Sequence, residues 1–178
     1  MPARTINGYN LPYNCLETAS GRMGEIEMTY PEDEQAVAYY NQGYTCTQSI
    51  LASFAARYGL QQDLAFRIGE PFGAGTSCTG DMCGSVAGAI MALGLQYGSA
   101  HNDDVAARSY TYQHVHELIQ RFKVIHVSIQ CTDLLGYNLS DPQQLQTVRE
   151  RGLFMQLCPI LVRDAAQILI EMIGTAPK

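Results

Sequence analysis

Six cysteines carry the most reactive chemistry in this 178-residue chain: Cys15, Cys46, Cys78, Cys83, Cys131 and Cys158. A thiolate is a nucleophile, a redox group and a metal ligand, whereas a buried thiol is also an ordinary core residue. In a reducing cytosol structural disulfides are not expected, so we ask whether the thiols bind a metal or do redox chemistry.

The spacing of the cysteines matches none of the common metal or redox motifs. The closest pair is Cys78-x₄-Cys83, and the chain has neither a C-x-x-C dithiol nor a C-x-x-C-H haem attachment site. Zinc sites in small domains usually pair their cysteines as C-x₂₋₄-C, but Cys46, Cys83, Cys131 and Cys158 are 37, 48 and 27 residues apart. From spacing alone, we favour ordinary buried cysteines over a metal site.

The elements that position these cysteines are predicted to be helices. Residues 1–30 show no sustained apolar period and are interpreted as an N-terminal extension, whereas residues 31–178 form one helical domain. The sequence therefore predicts an all-α, single-domain helical bundle. Its central helix, residues 82–97, is apolar nearly all round and is expected to be buried. Gly84, Gly88 and Ala92 lie four residues apart on it, which permits close approach of a neighbouring backbone.

Four cysteines fall at predicted helix starts, where unpaired N–H groups and the positive end of the helix dipole stabilise a thiolate. The same N–H groups can donate to the sulfurs of an anionic cluster. The predicted starts rest on capping and proline signals. Cys46 directly follows Thr45 of a Thr-x-x-Gln capping box, and Cys83 lies two residues after Asp81, which is a plausible N-cap. Cys131 opens a short helix closed by Gly136, and Cys158 directly precedes Pro159.

The residues around these cysteines resemble a known family, the C_GCAxxG_C_C putative redox-active proteins, over residues 31–175. Its first block is similar to Gly43-Tyr-Thr-Cys46-Thr-Gln48, and its central C-G-A-x-x-G block is similar to Cys83-Gly-Ser-Val-Ala-Gly88. The third and fourth blocks are similar to Cys131-Thr-Asp-Leu-Leu-Gly136 and to Cys158 ahead of a terminal helix. Ser85 stands where the family motif has alanine, and Cys15 and Cys78 lie outside the four-cysteine pattern.

The resemblance implies a small redox protein in which Cys46, Cys83, Cys131 and Cys158 act together as cofactor and metal ligands. A similar domain occurs in split-Soret cytochromes, which are dimers whose family-like part is associated with an iron–sulfur cluster. This chain lacks their haem motifs, so only the cluster part of the comparison carries over. The resemblance reverses the preference drawn from spacing. We expect an iron–sulfur centre, of the 2Fe–2S type, that serves electron transfer or redox sensing.

Two other function classes stay open. The protein would be a thiol–disulfide oxidoreductase if Cys46 and Cys83 cycle between dithiol and disulfide. It would be a helical interaction module if the four cysteines hold structural zinc. The sequence offers no paired carboxylates and no nucleophile–base arrangement, so no catalytic residue is nominated and enzymatic activity is left undecided.

Composition narrows the range of partners. The net charge is −6, and the eleven lysines and arginines are scattered rather than clustered, which argues against nucleic acid. No apolar run approaches the roughly 20 residues of a membrane span, and the first residues do not resemble a signal peptide. We therefore expect a soluble, cytoplasmic protein with an unidentified electron donor or acceptor. The many apolar helices and the extension are compatible with a homodimer.

Overall fold

The computed structural model describes residues 31–174 and, near the N-terminus, the backbone of two short strands. These strands, β1 (Thr5–Ile6) and β2 (Tyr9–Asn10), pair antiparallel with Thr5 opposite Asn10. The sequence predicted no strand, because two residues are too few for an alternating pattern to be seen. The rest of the predicted N-terminal extension lies outside the described residues.

Helices make up the remainder, and the prediction of an all-α domain is confirmed. Short 3₁₀ turns, Ala56–Tyr58 and Glu70–Phe72, follow the second and third helices. The helices are α1 (Glu32–Asn41), α2 (Cys46–Ala55), α3 (Gln62–Gly69), the single turn α4 (Gly73–Thr76), α5 (Gly84–Tyr97), α6 (Val105–His126), α7 (Cys131–Leu135), α8 (Pro142–Glu150) and α9 (Leu153–Ile173).

Helix α5 lies at the centre of the bundle, as its sequence predicted, and packs against α2, α6 and α9. A Cβ atom added at Gly88 would lie 2.8 Å from Cβ of Ile50, so α2 and α5 approach each other more closely than a larger side chain allows. Burial of apolar side chains from α2, α5, α6 and α9 supplies the main stabilisation of this arrangement. The largest fully buried side chains include Phe54, Phe122, Ile50, Leu51, Leu93, Leu118, Leu139 and Leu169.

Two predicted helix boundaries are wrong. The last helix does not begin after Pro159; it begins at Leu153 and contains Pro159 in its interior. Proline there removes one backbone hydrogen bond, but apolar residues on both sides of it pack into the same core, and such packing supplies most of a helix's stability in a protein. The spacing of Val115, Ile119 and Phe122 in the sequence also predicts a helix that ends near Phe122, but α6 continues to His126.

Helix α9 is long and apolar enough to cross a membrane by length and composition, with a mean hydropathy of 1.5 in its most apolar window. The sequence predicted no apolar run of that length. Buried core helices pass the same test, and α9 packs against α1, α2, α5 and α6. Its buried residues include Leu161, Val162, Ala165 and Leu169.

A left-handed loop leads from α3 towards α5. Five consecutive residues, 74–78, have positive φ angles between 51° and 69°, a conformation that costs non-glycine residues roughly 1–2 kcal/mol each. Gly75 is required here, because a Cβ atom would lie 2.7 Å from the backbone nitrogen of Asp81. Cys78 in this loop is disulfide-bonded, so the expectation that the chain lacks structural disulfides is wrong at this position.

Candidate four-cysteine site

Four free cysteines from four different helical elements lie together in the core. Cys46 is the first residue of α2, Cys83 directly precedes α5, Cys131 is the first residue of α7, and Cys158 lies within α9. Their exposed fractions are 7%, 0%, 4% and 3%, respectively. The charge of each of the other three thiols affects Cys46, so the structure brings the four predicted residues to one place.

Cys83 and Cys131 form one pair, and a short backbone pairing holds them side by side. The N–H of Cys83 donates to the carbonyl of Ile129, and the N–H of Cys131 donates to the carbonyl of Asp81, both over 2.7 Å. Met82 and Gln130 form an antiparallel bridge between these bonds. The side chain of Cys131 lowers the pKa of Cys83, and the side chain of Cys83 raises the pKa of Cys131, so the two thiols are neighbours. The loop before α5 and the loop before α7 therefore position this pair through the main chain.

Cys46 and Cys158 form the second pair, because the side chain of Cys158 raises the pKa of Cys46. The capping box predicted at Thr45 is present: the Thr45 hydroxyl accepts from the Gln48 N–H, and the Gln48 side chain accepts from the Thr45 N–H. This capping box begins α2, so Cys46 occupies the first turn of the helix, as predicted. Cys158 is not at a helix start, however, because α9 begins five residues earlier. The prediction for Cys158 is wrong for the same reason as the boundary at Pro159.

Tyr40 lies beside both pairs. Its side chain is 8% exposed, and its hydroxyl donates to the carbonyl of Phe154 over 3.1 Å. Burial raises the pKa of the phenol, and the neighbouring Cys46 and Cys158 raise it further. Tyr40 therefore stays neutral and closes the site on the α1 side. Tyr39 and Tyr44 are also close to Cys46 in the sequence, and aromatic residues there could shield the site or pack in the core.

Tyr39 and Tyr44 lie elsewhere. Tyr44 stacks on Phe66 with ring centroids 3.9 Å apart, and Tyr39 meets Phe66 edge-on at 5.3 Å. These three rings belong to a separate apolar cluster between α2 and α3. Ordinary core packing is thus the role of these two tyrosines.

The pKa of Cys83 shifts in the opposite direction from the pKa values of Cys131 and Cys46. Hydrogen bonding from Cys131 lowers the pKa of Cys83 to about 7, against the opposing effect of its burial. The hydrogen bond to Cys83, together with burial, raises the pKa of Cys131, and the hydrogen bond to Cys158 together with burial raises that of Cys46. The first pair therefore favours one thiolate with one thiol as its donor.

Helix N-termini supply further donors to the sulfurs. Backbone N–H groups of Ser85 and Val86, in the first turn of α5, hydrogen bond to Cys83. The backbone N–H of Gly84 does the same for Cys131. The start of α5 thus acts to lower the pKa values of both members of this pair. The sequence predicted that helix starts would stabilise thiolates in this way.

The donor set is entirely sulfur. Among the described residues, no group of three or more cysteine, histidine, aspartate or glutamate side chains is arranged so that it could hold a single metal ion. The four thiols fall into two pairs of neighbours. The charge of a thiol in one pair also affects the pKa of a thiol in the other pair. The arrangement is that of two neighbouring dithiols that are shielded from water.

Two of the histidines contact other groups. His126, which lies five residues before Cys131 in the sequence, contacts Asp164 through Nε2 over 2.8 Å. His114 lies against Tyr97 and Tyr110. Cys78 is disulfide-bonded rather than free, and Cys15 lies outside the described residues.

Sequence reasoning missed two polar residues of the site. Thr47, which is fully buried, donates its hydroxyl to the carbonyl oxygens of Gly84 and Phe72 over 3.0 and 3.3 Å. Ser85 is also fully buried, and its hydroxyl has no hydrogen-bond partner among the described residues. Their positions directly after Cys46 and two residues after Cys83 were the available signal, but a small polar residue near a helix start usually suggests only a cap.

Comparison with known proteins agrees with this geometry. The chain is a small all-α bundle with four cysteines in its core. The model of the family described as "Putative redox-active protein (C_GCAxxG_C_C)" matches residues 44–172. The chain therefore belongs to this family, as its motifs suggested, and is a redox-active protein of that description. Comparison with curated proteins and with solved structures found no match.

Proposed function

We propose that this protein transfers or senses single electrons through an iron–sulfur cluster, of the 2Fe–2S type, bound by Cys46, Cys83, Cys131 and Cys158. The observation that carries the proposal is the gathering of four free, buried thiols in two neighbouring pairs. Cysteine thiolates are the usual ligands of such clusters.

The two-plus-two arrangement favours two metal ions over one. Each iron of a 2Fe–2S cluster takes two cysteine sulfurs, so two pairs suffice. With metal–thiolate bonds of about 2.3 Å, two thiolates on one tetrahedral metal lie about 3.8 Å apart, close to the spacing of two thiols in contact. A single zinc ion would need all four sulfurs around one point, which the described residues do not provide.

The chain's own residues prepare the site for a negatively charged centre. Backbone N–H groups of Gly84, Ser85 and Val86 donate to the sulfurs of Cys83 and Cys131, and such donors stabilise thiolate charge. Burial excludes water, which strengthens these electrostatic interactions. When bound, the cluster would supply one-electron chemistry that no amino-acid side chain here provides.

Burial also bears on the choice between electron transfer and thiol exchange. In exchange, a thiolate must touch the sulfur that it attacks, but none of the four cysteines is more than 7% exposed. An electron can reach a buried centre without such contact. The sequence-derived expectations of a homodimer, a cytoplasmic location and a separate electron donor and acceptor stay predictions.

One observation favours a second candidate, a dithiol–disulfide function. The pKa of Cys83 is lowered to about 7, and Cys131 lies in contact with it. Oxidation of this pair would release two electrons and two protons in total and form one sulfur–sulfur bond, with a protein or small disulfide as acceptor. The pair that the structure favours for this chemistry is Cys83–Cys131, rather than the Cys46–Cys83 pair suggested by the sequence.

Reconstitution separates the three candidates. Metal-free protein is incubated without oxygen with ferrous iron and sulfide, or with zinc alone, and metal, sulfide and free thiols are then counted. The proposal predicts two irons and two sulfides per chain and an electron paramagnetic resonance signal after one-electron reduction. Stoichiometric zinc without iron uptake supports the zinc module, and a reversible loss of two thiols without metal uptake supports the dithiol.

A further inference from the structure

The chain between α6 and α7 contains a strained turn at Val127. Its φ is 68° and its ψ is −36°, and the N–H of Ser128 donates to the carbonyl of His126 over 2.7 Å. A hydrogen bond that closes over one residue with a positive φ is a γ-turn of the rare, strained kind. A β-branched residue is an outlier in this region. Val127 is 85% exposed, so packing of its own side chain does not offset the strain.

Contacts on the α6 side keep this turn from relaxing. Nε2 of His126 lies 2.8 Å from Oδ2 of Asp164 on α9, and the His126 ring packs against the buried ring of Phe122 with centroids 4.6 Å apart. The N–H of Val127 also donates to the carbonyl of Lys123 over 2.8 Å. The last turn of α6 is therefore fixed to the body of the bundle.

On the other side, main-chain hydrogen bonds join residues 129–132 to residues 80–83. The N–H of Cys83 donates to Ile129, that of Cys131 to Asp81, and that of Thr132 to Gly80, over 2.7, 2.7 and 2.9 Å. None of the side chains of residues 127–130 is buried, so little apolar burial opposes the breaking of these bonds. Segments with few buried contacts open at the lowest free energies, and a strained conformation persists only while its surroundings enforce it.

We propose that the Val127 turn is a hinge that gives access to the Cys83–Cys131 pair. When the three hydrogen bonds break, the turn relaxes, residues 128–131 move away from residues 80–83, and the two thiols become accessible. In the closed form these cysteines are 0% and 4% exposed, so a metal ion or a small disulfide needs such an opening to reach them. Access through this hinge does not depend on which cofactor the thiols bind.

The opening is tested in metal-free protein by alkylation with iodoacetamide at one pH, with each cysteine followed by mass spectrometry. Each reaction forms one sulfur–carbon bond and releases iodide. We expect Cys83 and Cys131 to react at rates that hardly change with urea below the unfolding transition, because local opening exposes little surface. Cys46 and Cys158, which lie outside the opening segment, should react at rates that rise steeply with urea.

The hinge itself is tested by Val127→Gly, since glycine adopts a positive φ without strain. The closed form of this variant has no strain to release, so alkylation of Cys83 and Cys131 should be about tenfold slower than in the natural chain. Val124→Gly is the matched control. Val124 is also 85% exposed but lies within α6, so the same substitution relieves no strain and should not slow the reaction.

The outcomes separate access from cofactor binding. An equally steep urea dependence at all four cysteines overturns the local opening. Alkylation that Val127→Gly leaves unchanged, or that Val124→Gly slows to the same extent, overturns the role of the turn. Both results leave the cluster proposal intact, because iron and sulfide uptake in reconstitution decides that proposal separately.

Discussion

Thr47 donates its hydroxyl to the carbonyl oxygen of Gly84 over 3.0 Å in the buried interface between α2 and α5. Thr47 directly follows Cys46, and Gly84 directly follows Cys83. Each of these cysteines belongs to a different thiol pair. This hydrogen bond therefore links the two pairs through the first turns of their helices, which is what a shared centre requires.

Thr47→Val is expected to lower the free energy of unfolding by about 1–3 kcal/mol, because the methyl group keeps the volume and leaves buried carbonyls without a donor. Iron retention should fall as the two pairs separate. Urea unfolding and iron counts on the same samples give both values. Thr111→Val is the control, since the Thr111 hydroxyl bonds to the Ala107 carbonyl of its own helix. An equal loss in both variants would contradict the role of Thr47.

Gly84→Ala is expected to destabilise the protein and to reduce metal content. A Cβ atom at this position would lie 2.7 Å from Oγ1 of Thr47 and 3.1 Å from Cβ of Cys46. Overpacking of this kind costs about 1–3 kcal/mol, and here the displaced atoms belong to the site. Thermal unfolding and metal analysis measure the two effects.

Gly94→Ala provides the control within the same helix. The added Cβ atom meets nothing within 4 Å among the described residues, so replacing an exposed helical glycine should stabilise the protein by about 0.5–1 kcal/mol. Metal content should not change. If the two glycine variants behave alike, close approach at Gly84 is not what positions the thiols.

Cys83→Ser is expected to abolish cofactor content, because it removes one of the four proposed ligand sulfurs. Cys15→Ser removes a cysteine outside the four-cysteine set and should leave cofactor content intact. Iron and sulfide counts after anaerobic purification measure the cofactor content of both variants. Equal loss from both variants would refute the four-ligand assignment.

The contribution of Cys83 to the stability of the metal-free protein should grow as the pH rises from about 7 to about 8.5, whereas the raised pKa values of Cys46 and Cys131 act in the opposite direction near the top of this range. Over this interval folded Cys83, whose pKa is lowered to about 7, is a thiolate, whereas the unfolded chain still binds that proton. The stabilisation is present above the unfolded pKa and is lost as the pH falls through the folded pKa. Urea unfolding across this range should show a more positive pH dependence of stability in the natural chain than in Cys83→Ala. Identical pH dependence would contradict the lowered pKa.

Local signals predicted much of the site. The Thr45 capping box placed Cys46, and the small residues Gly84 and Gly88 predicted the close packing of α5. Gly136, which closes α7 in a left-handed conformation, fixed the short helix that Cys131 opens. Each of these features depends on a few neighbouring residues, so each can be recognised without knowing the fold.

The remaining features depend on contacts between distant segments. Pro159 predicted a helix start, but core packing on both sides of it carries α9 through and leaves Cys158 in the helix interior. The pairing of Cys83 with Cys131 rests on the single bridge between Met82 and Gln130, which is too short to leave a pattern. The family motif predicted that four cysteines act together, but it did not predict which of them are in contact.

The most direct test of the account is an absorption spectrum of the natural chain purified without oxygen and then reconstituted with iron and sulfide, with iron, sulfide and zinc counted on the same sample. A 2Fe–2S centre predicts broad visible absorption that bleaches with dithionite, together with two irons and two sulfides per chain. A colourless, folded protein that takes up no iron after reconstitution would contradict it.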